Sequence, residues 1–489
     1  MLTETFLNTD KIMKKSIILT AVLACSLTVS CDMIDGTGVE NPNLTLDGSL
    51  ELPNPATAWV NGLEEQIATV ANSCVTTQEL ATDNYENVQT FFNQNVDAGP
   101  YRDIDTSFRG CQFAIAALRE QAEYSINTVL PVDEAAAGTS LEAEMHFYKG
   151  VANLYAGEIF TALPNDAEAP AVGPDTHFAT AVSDFTNALN IDNSSETAIS
   201  YYIMRARAHY ALGNQTEAVA DANSAITLDG DDDYVRFVRF DAVNGPAHTL
   251  QDAVHDRGNF DDLQPLPRLD FLDPKYFDID GSTDSNMPMA KIEEAYLIIA
   301  ESELADSDLP GAIGAMNSVV NIANARGTET VDDSNEGRED PRSGTAVPQR
   351  PNNSGFTVRA SSSDPYRANL VLDRTAALET PSISGTSLSN ADINNLILGD
   401  ALETLYLLRQ EIFFGEGRRM FDMGIRWPVA EREALINPNI TDADRQATIP
   451  SYLPTLGEID DFTIDSPTEV TILHNINRLI ADNRGNRFN

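Results

Sequence analysis

The chain has 489 residues, of which 42% are hydrophobic, and its 75 acidic against 31 basic side chains give a formal charge of −44. This much apolar sequence is enough to bury a large core, so disorder along the whole chain is excluded. A surface this acidic repels phosphate groups, which argues against nucleic-acid partners.

The first 30 residues follow the order of a secretory signal peptide. Two lysines after Met13 precede the apolar run 17–27, which is too short to remain as a membrane span. We therefore predict a signal peptide over residues 1–30, with translation starting at Met13. The segment Leu27–Cys31 is similar to a bacterial lipobox with one extra residue, which predicts that Cys31 is acylated and anchors the protein. An ordinary secretory peptide is the alternative.

Two cysteines, Cys74 and Cys111, remain after the predicted processing and acylation. In an oxidising compartment they can form a disulfide, provided that the fold brings their Cα atoms within about 7 Å. The alternative is two separate buried thiols, and the sequence leaves both possibilities open.

Helical periodicity dominates the sequence after residue 56. We predict a flexible leash over 31–56, rich in Gly, Pro, Asn and Thr, and a single folded domain over 57–489. The clearest helical hairpin spans 199–229, where small residues recur on both helices and Gly213 separates them, as in tetratricopeptide (TPR) repeats. Weaker pairs cover 141–189 and 291–326. The predicted fold class is mostly α, with TPR-like hairpins forming a solenoid scaffold.

Two long segments interrupt this helical pattern. Residues 230–290 are rich in Pro and Asp, which favours loops and short strands such as 235–240, and residues 327–400 are rich in Ser, Gly, Asn, Asp and Pro. Long irregular insertions in a helical body are typically functional, so these two segments are the predicted ligand face.

Three stretches of the chain resemble the SusD-like (RagB/SusD) family. The stretch 142–164 resembles a family helix ending in an aromatic-Gly-x-Pro corner, with Thr161-Ala162 in place of Gly, and 291–301 resembles an acidic-Ala-Tyr-Leu helix. The third is similar to the family's Arg, Glu, Glu-Gly-x-Arg, Asp and Arg-Trp signature, with one extra residue before Arg426. Its matching residues are Arg409, Glu411, Glu416, Gly417, Arg419, Asp422, Arg426 and Trp427.

The resemblance implies a protein that captures a nutrient, an oligosaccharide or a peptide, and delivers it to a SusC-like TonB-dependent transporter. It implies no catalysis and no cofactor. Asp32 and Asp35 resemble the acidic export signal that follows the acylated cysteine in lipoproteins of SusD-bearing bacteria. This implies attachment to the outer membrane, facing the extracellular side.

The charges of the third stretch favour a structural role. Arginine forms bidentate pairs with carboxylates, which would lock the turn at Gly415 and Gly417. We predict that Arg409, Glu411 and Glu416 pair with Arg418, Arg419 or Asp422. An active site is the less favoured interpretation, because no nucleophile accompanies the charges.

The sequence lacks G-x-S-x-G, H-E-x-x-H, P-loop and C-x-x-C motifs, which weakens an enzymatic function. Asp229, Asp231 and Asp233 have calcium-loop spacing, but Tyr234 stands where the loop requires Gly, so no metal site is predicted.

Sugar rings bind to aromatic platforms, and aromatic residues in polar neighbourhoods are the candidates for one. Two other functions remain open: a TPR scaffold lipoprotein with protein partners only, and a surface glycoside hydrolase. The candidate platform residues are Tyr85, Phe91, Phe92, Tyr101, Tyr276 and Phe277.

Overall fold

The computed structural model describes residues 46–88, 94–255, 263–277, 282–334 and 350–489. Cys31, the predicted signal peptide, Phe91 and Phe92 lie outside the described residues. The chain divides into two compact units, one ending at Pro55 and one spanning Ala56–Asn489. In the first unit, the described part holds one short helix, α1 (Leu46–Leu50).

Helices account for most of the regular structure of the second unit. Shorter 3-10 segments cover Glu134–Ala136, Asp270–Tyr276 and Leu456–Glu458. The α-helices are α2 (Pro55–Leu80), α3 (Gln94–Ala98), α4 (Thr106–Tyr124, continued by a π-helical turn at Ser125–Val129 and a short turn at Leu130–Val132), α5 (Ser140–Ile159), α6 (Pro174–Ile191), α7 (Glu196–Leu212), α8 (Gln215–Asp229), α9 (Thr249–His255), α10 (Glu293–Ala305), α11 (Leu309–Ala325), α12 (Asn390–Asn394), α13 (Leu398–Ile412), α14 (Arg419–Met423), α15 (Glu431–Ile436) and α16 (Ile476–Asn483).

The three predicted hairpins are α5 with α6, α7 with α8, and α10 with α11. They stack in chain order, because α6 also contacts α7 and α8 contacts α10. Close approach depends on small residues: a Cβ added at Gly157 of α5 would lie 2.6 Å from the ring of Phe178 on α6. Gly213 ends α7 at φ +75°, a left-handed conformation that glycine adopts without strain. The predicted fold class, a helical scaffold of TPR-like hairpins, is confirmed.

A hydrophobic core joins the last hairpin to α13, the helix on which the signature begins. Side chains of α10, α11 and α13 interdigitate there, and all are almost fully shielded from water. Burial of each such side chain contributes roughly 1.5–3 kcal/mol. The centre of this core consists of Leu297, Ala300, Met316, Val319, Val320, Leu405, Leu408 and Ile412.

The strands of the described residues form small sheets between helices. β1 (Tyr85–Asn87) pairs antiparallel with β5 (Leu263–Pro265), and the remaining sheets each link neighbouring loops. Their members are β2 (Leu163–Pro164) with β3 (Ala171–Val172), β4 (Val235–Val238) with β6 (Met287–Lys291), β7 (Thr328–Val331) with β9 (Leu378–Pro381), and the order β10 (Phe462–Ser466), β11 (Glu469–Ile472), β8 (Thr357–Arg359).

Cys74 on α2 and Cys111 on α4 form a disulfide bond, with their Cα atoms 4.8 Å apart. Of the two possibilities left open by the sequence, the structure contains the paired one. The bond ties the first long helix of the domain to the next one. Among the helices that the structure describes, none combines the length and the apolar character needed to cross a membrane.

Candidate functional site

An open cleft of about 500 Å³ lies beside strand β4. We call it the β4 cleft. Its wall is strand β4 and the residues next to it, which belong to the predicted ligand-face insertion 230–290. The lining residues are Glu64 and Ile67 of α2, Ser140, Glu144 and Tyr148 of α5, Glu196 and Thr197 of α7, and Tyr234, Val235, Arg236, Phe237 and Arg239.

The ladder between β4 and β6 is irregular beside the cleft. Neighbouring residues of a regular strand point to opposite faces. Here the pairing with β6 shifts between Arg236 and Phe237, which lie opposite Ala290 and Pro288. Proline has no N–H to donate to the ladder, so strand pairing is weakened at this position. The extra residue of this bulge is Met289 of β6, and Arg236 and Phe237 both line the cleft beside it.

Arg236 is held rigidly at the base of the cleft. Its Nη1 donates to Glu144 Oε1 at 3.1 Å and to Ser200 Oγ at 3.1 Å, and its Nη2 donates to Tyr148 Oη at 3.0 Å. Its guanidinium carbon lies 4.0 Å from the Phe147 ring centroid, a cation–π contact. Burial alone would lower the pKa of Arg236, but Tyr148 and Glu144 raise it well above its usual value.

Tyr148 lies in the same buried environment. Burial raises the pKa of its hydroxyl to about 12. Its hydroxyl is therefore neutral at physiological pH and serves as a fixed partner of Arg236. Arg236, Glu144 and Tyr148 are thus a preorganised base of the cleft, already satisfied by one another.

The groups free to meet a ligand lie at the rim of the cleft. Phe237 is 36% exposed and offers an apolar ring face, while Arg239, two residues on, is exposed and brings hydrogen-bond donors. Tyr234 is half-buried beside them. An aromatic face flanked by charged donors and acceptors is the combination that binds sugar rings.

Three of the candidate platform residues are wrong, because their rings are in the core. Tyr85, Tyr101 and Tyr276 are at most 6% exposed. The hydroxyl of Tyr101 donates to the carbonyl of Ala81 at 3.2 Å, and that of Tyr276 donates to the carbonyl of Gly415 at 3.2 Å. Both hydroxyls are hydrogen-bonded inside the fold, so polar neighbours in the sequence did not indicate exposed rings.

Of the remaining platform candidates, the structure describes Phe277, which does not line the β4 cleft. Phe277 is half-buried, with its ring centroid 5.4 Å from that of His255, and it stays a prediction. Tyr234, Phe237 and Arg239 are not among the residues that the sequence predicted for the site. The predicted strand at 235–240 was the available signal, since it placed aromatic and charged residues in a ligand-face insertion.

The signature segment is an electrostatic hub, and one predicted pair in it is present. Arg409 donates to Asp422 from Nε at 3.0 Å and from Nη2 at 2.9 Å, the bidentate geometry expected for a structural lock. Both side chains are buried. The guanidinium carbons of Arg409 and Arg487 lie 5.1 and 5.4 Å from the Tyr210 ring centroid, and that of Arg484 lies 4.9 Å from the Tyr406 ring centroid.

The other predicted pairs within the motif are wrong. Arg418 donates to Glu294 on α10 at 3.0 and 2.6 Å, and Arg419 donates to Asp83 at 2.7 and 2.9 Å. Each arginine thus binds a carboxylate more than 100 positions away. Arg418 and Arg419 therefore connect the motif to α10 and to the segment that follows α2.

The two glutamates of the motif also bind outside it. The carboxylate of Glu416 accepts from Lys275 and Lys291, each at 2.6 Å. Burial lowers the pKa of Lys291 to about 8, and the charge of Glu416 opposes that shift. Glu411 accepts from the backbone N–H of Ser387 at 2.8 Å. These contacts leave the glutamates fully engaged in structural bonds.

The end of the motif fixes the end of α5. Trp427 is completely buried, and its backbone N–H donates to the carbonyl of Ile159 at 2.8 Å. Arg426 Nε donates to the carbonyl of Gly157 at 3.0 Å. The signature therefore contacts the helix whose sequence resembles the first family stretch.

The described residues contain no group of three or more His, Cys, Asp or Glu side chains arranged for a metal ion. In the acidic turn after α8, Asp229 accepts from the backbone N–H of Tyr234 at 3.3 Å, and Asp232 accepts from the hydroxyl of Tyr296 at 2.8 Å. Both carboxylates therefore already accept hydrogen bonds from other groups of the protein.

The helical scaffold that carries this cleft is similar to that of several solved structures. A SusD superfamily protein from Parabacteroides distasonis superposes with a TM-score of 0.52 at 12% identity, covering 79% of this chain and 98% of that chain. A SusD superfamily protein from Bacteroides vulgatus gives 0.50 at 11% identity, covering 75% and 87%. A candidate sugar-binding protein from Bacteroides vulgatus gives 0.50 at 12% identity, covering 82% and 99%. The chain therefore has the SusD-like fold, as the three stretches predict.

Sequence comparison adds less. No protein-family model matches the chain. A rice (Oryza sativa subsp. japonica) protein named "Protein SGT1 homolog" is 45% identical over 71 residues, which are 14% of this chain and 18% of the rice protein. The match thus spans about a fifth of that curated relative.

Proposed function

We propose that the chain is a nutrient-binding protein that captures an oligosaccharide in the β4 cleft without chemical change. The single observation that carries this proposal is the cleft itself: an open space of about 500 Å³ with an exposed ring at Phe237 over a rigid polar base. A mono- or disaccharide unit fits that volume, and its apolar face can stack on the ring while its hydroxyls bond to polar groups.

The SusD-like fold supports the same function, since one solved protein of this fold is named for sugar binding. We further propose delivery to a SusC-like TonB-dependent transporter, with the hairpin solenoid as the contact surface. Acylation of Cys31 would hold the protein at the outer membrane on its extracellular side. Failure to co-purify with a SusC-like barrel under mild detergent would contradict the delivery role.

The binding test uses affinity electrophoresis and calorimetry of residues 36–489 against glycans and peptides, with product analysis for cleavage. Phe237→Ala is expected to weaken glycan binding about two- to tenfold, because stacking on an aromatic ring contributes about 0.5–1.5 kcal/mol. Val243→Ala is the matched control, since Val243 is 88% exposed and does not line the cleft.

Each outcome points to a different function. Binding that Phe237→Ala weakens and Val243→Ala preserves supports sugar capture in the β4 cleft. Cleaved products would replace the proposal with a surface glycoside hydrolase. Binding of peptides or proteins alone, with no glycan retained, would favour a TPR scaffold with protein partners.

A further inference from the structure

A second cavity, of about 120 Å³, lies between the insertion 327–400 and helix α13, and shares no lining residue with the β4 cleft. Arg268, Arg367 and Glu411 are among its lining residues. We call it the Arg268 cavity. Its volume is about a quarter of that of the β4 cleft, so it suits the end of a ligand better than a whole sugar chain.

Arg268 is the unexplained group in this cavity. It is only 8% exposed, and it has no hydrogen-bond or ion-pair partner among the residues that the structure describes. By contrast, the buried arginines Arg409, Arg418 and Arg419 each bind a carboxylate bidentately. A buried guanidinium without a partner is costly, because the charged group has lost water without a replacement.

The carboxylates that share the cavity are engaged by other donors. Asp364 accepts from Arg478 at 2.6 Å, and Glu403 accepts from the same arginine at 2.9 Å. Glu411 accepts from Ser387 and Thr386. None of them makes a hydrogen bond with Arg268, whose donors therefore remain available to the space of the cavity.

A second arginine lies on the same cavity. Arg367 is half-buried, and its Nη2 donates to the carbonyl of Ser387 at 2.6 Å. This bond fixes the position of the Arg367 side chain while its charge stays uncompensated by any ion pair within the described residues. Two guanidinium groups, one of them without a hydrogen bond or ion pair among the described residues, thus line the same small cavity.

We propose that the Arg268 cavity binds a carboxylate group of a ligand, with the guanidinium of Arg268 as its bidentate donor. The planar fork of arginine matches the two oxygens of a carboxylate, and partial burial strengthens such a charge-assisted pair. A uronic acid and the C-terminus of a peptide both present this group. The inference rests on the cavity alone and is independent of sugar capture in the β4 cleft.

The test measures the thermal midpoint of residues 36–489 with acetate, glucuronate and N-acetylglycine, each against an uncharged partner: acetamide, glucose and N-acetylglycinamide. A bound ligand raises the midpoint in proportion to its occupancy. We expect an upward shift with the carboxylates that is absent with the uncharged partners. A larger shift with glucuronate identifies an acidic sugar as the source of the carboxylate, and a larger shift with N-acetylglycine identifies a peptide end.

Two variants localise the effect. Arg268→Met is expected to remove the carboxylate shift while leaving the unliganded midpoint equal or higher, since the removed charge has no partner to orphan. Thr404→Phe, at another lining position, should block the cavity and keep Arg268. Arg239→Met, in the β4 cleft, is the control that retains the shift. An equal shift in Arg268→Met and in the unsubstituted protein, or none with any carboxylate, overturns the proposal.

Discussion

Glu79, at the end of α2, gives the sharpest prediction about stability. Its carboxyl is fully buried and accepts from the backbone N–H of Gly417 at 2.7 Å and from Asn84 Nδ2 at 2.7 Å. Burial raises the pKa of Glu79 from 4.5 to about 7, although those two hydrogen bonds and the charge of Lys275 act in the opposite direction. The folded state therefore keeps a proton that the unfolded chain has already lost.

The sign of the effect follows from this difference in bound protons. Between pH 4.5 and pH 7 the folded protein binds more protons at Glu79 than the unfolded chain, so the free energy of unfolding falls as pH rises. A pKa difference of about 2.5 units corresponds to about 3 kcal/mol, most of which is lost between pH 5 and pH 8. Glu79→Gln cannot titrate and should lack this contribution.

The assay is urea unfolding of the wild-type protein and Glu79→Gln from pH 5 to pH 8, followed by circular dichroism. As pH rises over this range, we expect the free energy of unfolding of the wild-type protein to fall by about 2–3 kcal/mol relative to that of Glu79→Gln. Glu65→Gln is the matched control, because Glu65 is an exposed carboxylate on the same helix. Parallel pH profiles for the wild-type protein and Glu79→Gln would refute the reasoning.

Three further substitutions test the packing. Arg409→Met leaves Asp422 buried without its partner and should lower the free energy of unfolding by about 3–5 kcal/mol; the double variant with Asp422→Leu should recover most of it, and no recovery would contradict a simple pair. Gly157→Ala brings a methyl group against Phe178 and should cost about 1–3 kcal/mol in urea unfolding. Cys74→Ser removes a crosslink across 37 positions and should cost about 2–4 kcal/mol under oxidising conditions, with no difference from the reduced wild-type protein.

The sequence predicts the helical hairpins well because their signal is local. The small residues of α7 and α8 and the break at Gly213 lie within some 30 positions, and that spacing alone defines two packed helices. Arg409 and Asp422 are similarly close in sequence, at 13 positions, so their pairing was predictable.

The ion pairs that the sequence did not predict join residues far apart in the chain. Asp83 and Glu294 lie 336 and 124 positions from the arginines that bind them, and no spacing rule connects residues at such distances. The rings of Tyr85 and Tyr276 are misjudged for a related reason, since polar neighbours in sequence do not reveal that a tyrosine is covered by the remote segment around Phe414 and Gly415.

The β4 cleft was beyond prediction because four separate segments build it. Glu64, Ser140 and Glu196 come from three helices, and their meeting with Phe237 depends on how those helices pack. The bulge beside Arg236 and Phe237 also depends on the opposing strand, where Met289 is the extra residue. The sequence predicted the insertion that contains β4 as a ligand face, but it did not predict the three helices that complete the cleft.

The long reach of the signature also has a consequence for the timing of folding. Glu79 and Asp83 are bound by Gly417 and Arg419, which are synthesised 338 and 336 positions later. At a usual rate of ribosomal elongation, α2 waits on the order of 20–70 s for these partners. The hairpins, whose contacts are local, can form during that interval, whereas the end of α2 stays open with its carboxylates in water. Completion of the fold therefore belongs to the last stage of synthesis, and the nascent chain depends on being kept from aggregation until then.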